Sequence, residues 1–458
     1  MMAHLRFRPL SFLFIYLSIS SQTYARQLEN DEPYEDFSFL TIQQSSLLPS
    51  DTCNPFITEE SGHRTVLQLV HSTGPCSDKE TAPPMTVLLQ DQARVKTIHL
   101  AIQAFEGKQR ASAVELPVYN GVSYETGNYI VQVQLGTPPV TQSLVFDTGS
   151  RTTWVRCQPC INCFVQKDLL FDPSQSPTYN QLSCSSSACS ASPFNACSGT
   201  LCTYRITYGD RSYSAGVLSS DTLTLSQTDA ISSFVFGCSN DVQGLFRQEA
   251  GLLGFSRAPL SFVSQTVSLY NGFFSYCLPS TESSTGFLAL GSSRSANQQP
   301  FYIPLSAGNS NYYQIDLTGI AVGGRQVPVF SLSIAAEPMI VDSGTVITRL
   351  STDIYTALRA AFLQGMSQYP TSAPVSLLDT CFDLSGYTTI TLPRIEFTFN
   401  NQIQLRLPGS LFYVGNSRFC LSYTASTVSI LGNTQQRTFE IFFDTFGKRL
   451  GFLAGGCN

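Results

Sequence analysis

The chain has 458 residues, of which 43% are hydrophobic and 13% are charged, so it can form the cores of two or three domains. Its formal net charge is −6 and it has no polybasic stretch, so it lacks the basic surface typical of nucleic-acid-binding proteins. We therefore expect no nucleic-acid partner.

The first 25 residues have the pattern of a secretory signal. Arg6 and Arg8 precede the apolar run LSFLFIYLSIS, and the small-x-small sequence Thr23-Tyr24-Ala25 suits signal peptidase. The apolar run is short for a membrane span, so we interpret residues 1–25 as a signal peptide. A membrane anchor is the alternative, and we expect none.

Residues 26–115 are predicted to form a prosegment. Four apolar residues recur at helical spacing: Val95, Ile98, Ile102 and Phe105. Four basic residues lie in the same stretch: Arg94, Lys96, Lys108 and Arg110. A surface helix of the main domain is the alternative, but a position between a signal and a β-rich body favours a prosegment. We expect cleavage near residues 110–122.

The body of the chain, from residue 123 onward, has an all-β pattern. Short runs such as YIVQVQL, CTYRITY and IEFTF are rich in Val, Ile, Thr, Tyr and Phe and are separated by Gly, Pro, Asn and Ser. Helices are predicted to be few. The best candidate is STDIYTALRAAFLQGMSQY, which begins with helix-capping residues and has apolar spacing of three and four.

An internal repeat divides this body into two similar halves. The first half contains LVFDTGS and later AGLLGFS, while the second contains MIVDSGT and later SILGN. Each half thus has an apolar run that leads to Asp-[Ser/Thr]-Gly-[Ser/Thr], followed downstream by an apolar pair and Gly. We predict two β lobes, residues 123–300 and 301–458.

The repeated motif brings one carboxylate from each half, Asp147 and Asp342. Two carboxylates at close range share one proton over an acidic range, because both cannot ionise cheaply. The ionised partner can take a proton from water while the protonated one donates to a peptide carbonyl. No histidine follows His99, so the body lacks an imidazole base. The pattern therefore predicts acid–base hydrolysis without a covalent intermediate.

These motifs resemble those of pepsin-family aspartic proteases, most closely the plant nepenthesin-like branch. The resemblance covers nearly all of residues 123–458, and the upstream DQARVKTI is similar to prosegments of that branch. It implies an all-β, bilobal fold with few short helices and an active site in the cleft between the lobes. It also implies a zymogen that becomes an endopeptidase at acidic pH, acting on polypeptide substrates without a cofactor or metal, and we expect a monomer.

The resemblance assigns roles to the motif residues, with Asp147 and Asp342 as the catalytic dyad. It implies that Thr148 and Ser343 cross-link the lobes by hydroxyl-to-backbone bonds, and that Ser150 and Thr345 bind the outer carboxylate oxygens. Gly149 and Gly344 are interpreted as allowing a tight turn and close approach.

Two aromatic residues are assigned to the flap that closes over substrate. The resemblance implies that Tyr208 is the flap tyrosine and that Trp154 supports it. The alternatives are a simple hairpin turn at Tyr208 and an ordinary core position for Trp154.

The 14 cysteines are expected to form disulfides, because the signal predicts an oxidising compartment. A zinc site at Cys157, Cys160 and Cys163 is the alternative, but the usual histidines are missing. Residues 157–202 match the Cys-rich insertion of nepenthesin-like enzymes. We predict the pairs Cys381–Cys420 and Cys277–Cys457, with the other eight body cysteines bridging the first lobe in an order left open.

One residue departs from the family pattern and one rival function stays open. Arg151 stands where a small or acidic residue is usual, and the sequence offers no reason for it. The rival is a catalytically inert binding protein similar to xylanase inhibitors, although every residue that the dyad mechanism needs is present. We expect an active, secreted enzyme in the apoplast, with the vacuole or plastid as alternatives.

Overall fold

The structure is a computed structural model that describes residues 38–49, 52–53, 65–71, 76, 83–105 and 128–456. Within the last range, positions 164, 193, 208–211, 227–228, 245, 247, 280–283, 292–297, 309 and 330–335 are not described. The predicted signal, the predicted cleavage region, Tyr208 and Cys457 all lie outside the described residues.

Strands dominate the described residues, in agreement with the predicted all-β class. In chain order they are β1 Phe39–Gln43, β2 Thr65–His71, β3 Tyr129–Leu135, β4 Val140–Asp147, β5 Trp154–Arg156, β6 Asn180–Gln181, β7 Asn195–Ser198, β8 Leu201–Thr207, β9 Tyr213–Thr224, β10 Ala230–Gln243, β11 Gly251–Gly254, β12 Phe273–Cys277, β13 Thr285–Leu290, β14 Phe301–Pro304, β15 Gln314–Val322, β16 Arg325–Gln326, β17 Glu337–Val341, β18 Thr348–Ser351, β19 Thr371–Ser372, β20 Cys381–Asp383, β21 Thr389–Pro393, β22 Ile395–Phe399, β23 Ile403–Leu407, β24 Leu411–Gly415, β25 Arg418–Leu421, β26 Tyr423–Ser426, β27 Ser429–Leu431, β28 Phe439–Asp444 and β29 Arg449–Ala454.

Helices are few in the part of the chain that the structure describes, as expected, and most are a single turn long. They are α1 Pro84–Phe105, α2 Ser187–Ser190, α3 Phe262–Gln265, α4 Val267–Tyr270, α5 Thr352–Gly365 and α6 Asn433–Gln436, with 3-10 turns at Gln44–Leu47, Pro173–Gln175 and Asn400–Gln402. The predicted helices near residue 95 and after residue 351 are α1 and α5. Among the described residues, no helix is both long and apolar enough to cross a membrane.

The described strands form four sheets. A 15-stranded sheet runs β14-β29-β28-β12-β13-β2-β3-β4-β11-β5-β10-β9-β8-β7, with β6 paired to β9. An eight-stranded sheet in the second lobe runs β23-β22-β15-β17-β27-β18-β26, with β16 paired to β15. Smaller sheets pair β19-β20-β25-β24 and β1-β21. The C-terminal strands β28 and β29 extend the large sheet, so the end of the chain ties the second half to the first.

The strand that leads to the first motif shows why these residues form a sheet interior. In β4 the last six residues, 142–147, are all buried. Such a run suits a strand that is covered on both faces. Phe146 packs edge to face with Phe255 and Tyr276, at centroid distances of 4.9 and 5.1 Å. The apolar approach to Asp147 is therefore part of the main core.

The structure confirms one of the two predicted disulfide pairs and does not test the other. Cys381 pairs with Cys420, directly across β20 and β25. Cys277 is also disulfide-bonded, and its predicted partner lies outside the described residues. The order that the sequence left open in the first lobe is Cys157–Cys238, Cys160–Cys163, Cys184–Cys197 and Cys189–Cys202, and a further bridge joins Cys53 to Cys76.

Candidate active site

Asp147 lies at the end of β4, beside the downstream apolar-Gly element of its own half. Strand β11 runs parallel to β4, and Gly254 lies opposite Asp147. The Phe255 N–H donates to the Asp147 carbonyl at 2.8 Å. Strand β11 and Phe255, from the downstream element of the repeat, thus hold the backbone of Asp147 in place.

The second half repeats this arrangement around Asp342. Strand β17 ends at Val341, and the parallel strand β27 places Leu431 opposite it. The Asp342 N–H donates to the Leu431 carbonyl at 3.2 Å. Both aspartates therefore lie at the buried end of a strand that is supported by a parallel neighbour from the same half.

Two hydroxyl groups cross-link the motifs. The Thr148 N–H donates to Ser343 Oγ at 3.1 Å, and the Ser343 N–H donates to Thr148 Oγ1 at 2.9 Å. Each hydroxyl donates onward to a carbonyl of the opposite half, Thr148 to Val341 and Ser343 to Phe146, both at 3.2 Å. These reciprocal bonds hold the two turns in one geometry, as the resemblance implied.

Each carboxylate is held by its own turn. Asp147 accepts from the Gly149 N–H at 2.8 Å and from Ser150 Oγ at 2.6 Å. Asp342 accepts from the Gly344 N–H at 3.0 Å and from Thr345 Oγ1 at 2.6 Å. Both aspartates are fully buried. The paired donors orient the carboxylates before any ligand arrives.

The motif glycines leave room for the opposite carboxylate. A Cβ built on Gly149 would lie 2.7 Å from Asp342 Oδ1, and one on Gly344 would lie 2.6 Å from Asp147 Oδ1. Any side chain at either position would therefore displace the carboxylate of the other half. The structure thus brings Asp147 and Asp342 to close range.

Arg94 of α1 fills the space between the carboxylates. Its Nη1 and Nη2 donate to the two oxygens of Asp147, and its Nε and Nη2 donate to Asp342 at 3.2 and 3.0 Å. A single guanidinium therefore donates hydrogen bonds to both motif carboxylates. Lys108 and Arg110, from the same basic stretch, lie outside the described residues.

Burial and two neighbouring charges act together on the Asp147 carboxyl. Burial raises the pKa of Asp147 to about 6, Arg94 opposes that rise, and the neighbouring Asp342 adds to it. The same two carboxylates raise the pKa of Arg94 despite its burial, so it stays cationic. A carboxyl with a raised pKa beside a second one is the expected setting for a shared proton.

A carboxylate of α1 also binds the body of the protein. Asp91, one helical turn before Arg94, is buried and accepts from the backbone N–H groups of Val346 and Ile347. It also accepts from Arg349 Nη2 at 2.6 Å. Helix α1 is therefore anchored by three ion pairs, two made by the Arg94 cation and one by the Asp91 anion.

Apolar contacts and Arg151 complete the docking of α1. Val95 and Ile98 pack in one cluster with Tyr312, Ile340 and Ile430. The Arg151 guanidinium lies 5.5 Å from the Tyr312 ring and 5.9 Å from the Phe194 ring, and it donates to the Ala101 carbonyl at 3.5 Å. The residue that the sequence left unexplained thus contacts the C-terminal half of α1.

The described residues do not test the roles assigned to the two aromatic residues. Trp154 is buried in β5 and packs edge to face with Phe246 at 5.2 Å. Because Tyr208 lies outside the described residues, the flap assignment stays a prediction for both. Sequence reasoning missed Asp91 and Arg349, since nothing local marks two residues 258 positions apart as partners.

Two family descriptions and several plant proteins match this chain. Residues 129–292 match the family description "Xylanase inhibitor N-terminal" and residues 312–454 match "Xylanase inhibitor C-terminal". An aspartyl protease family protein of Arabidopsis thaliana is 42% identical, over 91% of this chain and 93% of the relative. Aspartic proteinase nepenthesin-2 of Nepenthes gracilis is 33% identical, over 80% of this chain and 84% of the relative.

Solved structures share the fold at lower identity. The crystal structure of basic 7S globulin from soybean has a TM-score of 0.56 and 20% identity, covering 71% of this chain and 91% of that chain. The structure described as edgp has a TM-score of 0.57 at 20% identity, covering 72% and 92%. The curated relatives and the family match decide the membership. The chain belongs to the pepsin-like aspartic protease family, within its plant nepenthesin-like branch.

Proposed function

We propose that this protein is a secretory-pathway aspartic endopeptidase, made as a zymogen and active at acidic pH. Asp147 and Asp342 are the catalytic dyad and hold one proton between them. The ionised member takes a proton from a water as that water attacks the peptide carbonyl, and the protonated member donates to the carbonyl oxygen. The observation that carries the proposal is the complete, reciprocal hydrogen-bond network around two buried carboxylates.

The zymogen part of the proposal rests on Arg94. Its guanidinium lies where the attacking water and the substrate carbonyl must bind, so substrate cannot reach the dyad while α1 is in place. Removal of the segment that contains α1 is then the activating step. The extracellular space is the proposed destination, and the enzyme acts as a monomer on polypeptide substrates.

An inert binding protein is the second candidate. The names of the matching family descriptions favour it, because both refer to xylanase inhibitors. Against it stand the hydroxyls of Ser150 and Thr345, which donate to the two carboxylates and so orient them for proton transfer, a role that a protein that only binds does not need.

One experiment separates the two candidates. Hydrolysis of an unfolded protein is measured from about pH 3 to 7 after removal of α1, with and without a statine-type inhibitor. Wild-type protein and the surface control Asp353→Asn are expected to be active at acidic pH, while Asp147→Asn loses activity by at least about a thousandfold. Equal rates for wild type and Asp147→Asn, or no acidic activity at all, would contradict the protease proposal.

A further inference from the structure

Helix α1 binds the second lobe through a carboxylate, and this contact lies beside the dyad. Asp91 precedes Arg94 by three residues, so both side chains project from one face of the helix. Arg94 contacts Asp147 and Asp342, and Asp91 contacts the wall formed by Val346, Ile347 and Arg349. A peptide that replaces α1 over the dyad therefore runs past the same wall.

The wall is built to hold an anion. Two consecutive backbone N–H groups and one guanidinium converge on a single carboxylate, an arrangement of charge-assisted bonds that favours carboxylate over amide. Arg349 is only 3% exposed, and its Nε is buried without a hydrogen-bond partner. Three donors are thus directed at one place, and the group they hold belongs to the segment whose removal activates the enzyme.

The charge balance around Arg349 changes when α1 leaves. Two titratable groups of α1 face it: Asp91, and His99, whose pKa is lowered by burial and then by the Arg349 charge. Once α1 is gone, Arg349 loses the carboxylate that neutralises it within the wall. The Arg349 guanidinium and the two backbone N–H groups are then left without their anion, so a substrate that supplies a carboxylate gains affinity there.

We propose that Val346, Ile347 and Arg349 form a specificity site for an acidic substrate side chain, and that Asp91 occupies this site in the zymogen. The proposal rests on the proposed protease function, because it assumes that a peptide takes the place of α1. Asp91 and Arg94 are one helical turn apart, and an extended peptide advances about 3.3 Å per residue. The acidic residue of the substrate should therefore lie within about three residues of the cut bond.

Matched peptides test the site without any change to the protein. Each peptide of a series carries a single Asp, placed in turn at each of about three positions on either side of the cut bond. Each peptide has a matched partner with Asn in place of that Asp. The assay is run near pH 5, above the ordinary Asp pKa of about 3.9. At one position we expect kcat/KM to be at least about tenfold higher for Asp than for Asn.

Arg349→Gln should bring that ratio to about one, while Arg349→Lys, which keeps the charge, should retain part of it. The same peptides are also titrated against processed Asp147→Asn by fluorescence anisotropy, and the Asp peptide should bind about tenfold more tightly. Wild-type protein that cuts or binds Asp and Asn peptides equally at every position refutes the specificity site but leaves the protease function intact. If the Asp peptide binds more tightly than the Asn peptide but the processed wild-type protein hydrolyses neither, the protease function is refuted and the site is supported.

Discussion

Two glycines allow the two halves of the site to approach each other. Because a Cβ on Gly149 would lie 2.7 Å from Asp342 Oδ1, Gly149→Ala must push the two carboxylates apart. Displacement of a catalytic group by about 1 Å costs roughly a hundredfold in rate, so we expect at least that loss in kcat/KM. A Cβ on Gly386 meets nothing within 4 Å, which makes Gly386→Ala the matched control. Retained activity in Gly149→Ala would show that the dyad tolerates a wider spacing.

The raised pKa of Asp147 makes the stability of the full-length chain depend on pH. The carboxyl titrates at about 6 in the folded chain and has an ordinary value of 3.8, so the folded state binds this proton more tightly than the unfolded state does. Its contribution to the free energy of unfolding is therefore fully present below about pH 4 and is lost as the pH rises through about 6.

The measurement is chemical denaturation of wild type, Asp147→Asn and the surface control Asp353→Asn across that range. The stability of wild type relative to Asp147→Asn should rise as the pH falls from about 7 to 4, by at most about 1.4 kcal/mol per pH unit. Asp353→Asn should keep the wild-type profile. A wild-type curve parallel to that of Asp147→Asn would contradict the assigned shift.

At the scale of elements, α1 is held by Arg94 at its centre. Arg94→Gln removes the cation from two buried carboxylates, so we expect α1 to be released more often and the uncut chain to gain acidic activity. Hydrogen exchange of the α1 amides at about pH 7 should become at least about tenfold faster. The matched control is Lys96→Gln, which removes an equal charge from the exposed face of the same helix. Unchanged exchange in Arg94→Gln would show that Asp91 and the apolar contacts suffice to hold the helix.

Elements with local signals could be predicted from the sequence, and contacts between distant elements could not. The motifs at Asp147 and Asp342 were readable because each is a strand followed by a fixed turn, repeated within the chain. Helix α5 was readable from its apolar spacing. The resemblance supplied the hydroxyl roles and the Cys381–Cys420 pair.

What the sequence could not provide is the pairing of groups that only the fold brings together. Arg151 looked anomalous because its contacts, Tyr312 and the Ala101 carbonyl, lie far away in the chain and on two different elements. The Asp91–Arg349 pair was hidden for the same reason, and so was the order of the first-lobe disulfides. The contacts of Asp91 and Arg151 depend on the packing of α1 against both lobes.

At the scale of the whole molecule, the segment before residue 115 is built into the fold and does more than cover the cleft. Strand β2 lies inside the large sheet, hydrogen-bonded to β13 along six residue pairs and to β3 along three. Its side chains Leu67 and Leu69 are buried in the main core. A processed enzyme that lost β2 would expose two strand edges, so we expect this strand to stay bound or to be replaced.

A proline in β2 tests whether the strand is integral to the fold. Gln68 is exposed, so Gln68→Pro leaves the buried side chains intact and acts on the backbone of a strand that is paired on both sides. We expect the free energy of unfolding of the full-length chain to fall by at least about 2 kcal/mol, because ladder bonds are lost and the leucines shift. Thr41→Pro in β1, which pairs only with β21, is the matched control and should change it by less than about 1 kcal/mol. Equal losses in the two variants, measured by urea denaturation, would mean that β2 contributes no more to the fold than a peripheral strand does.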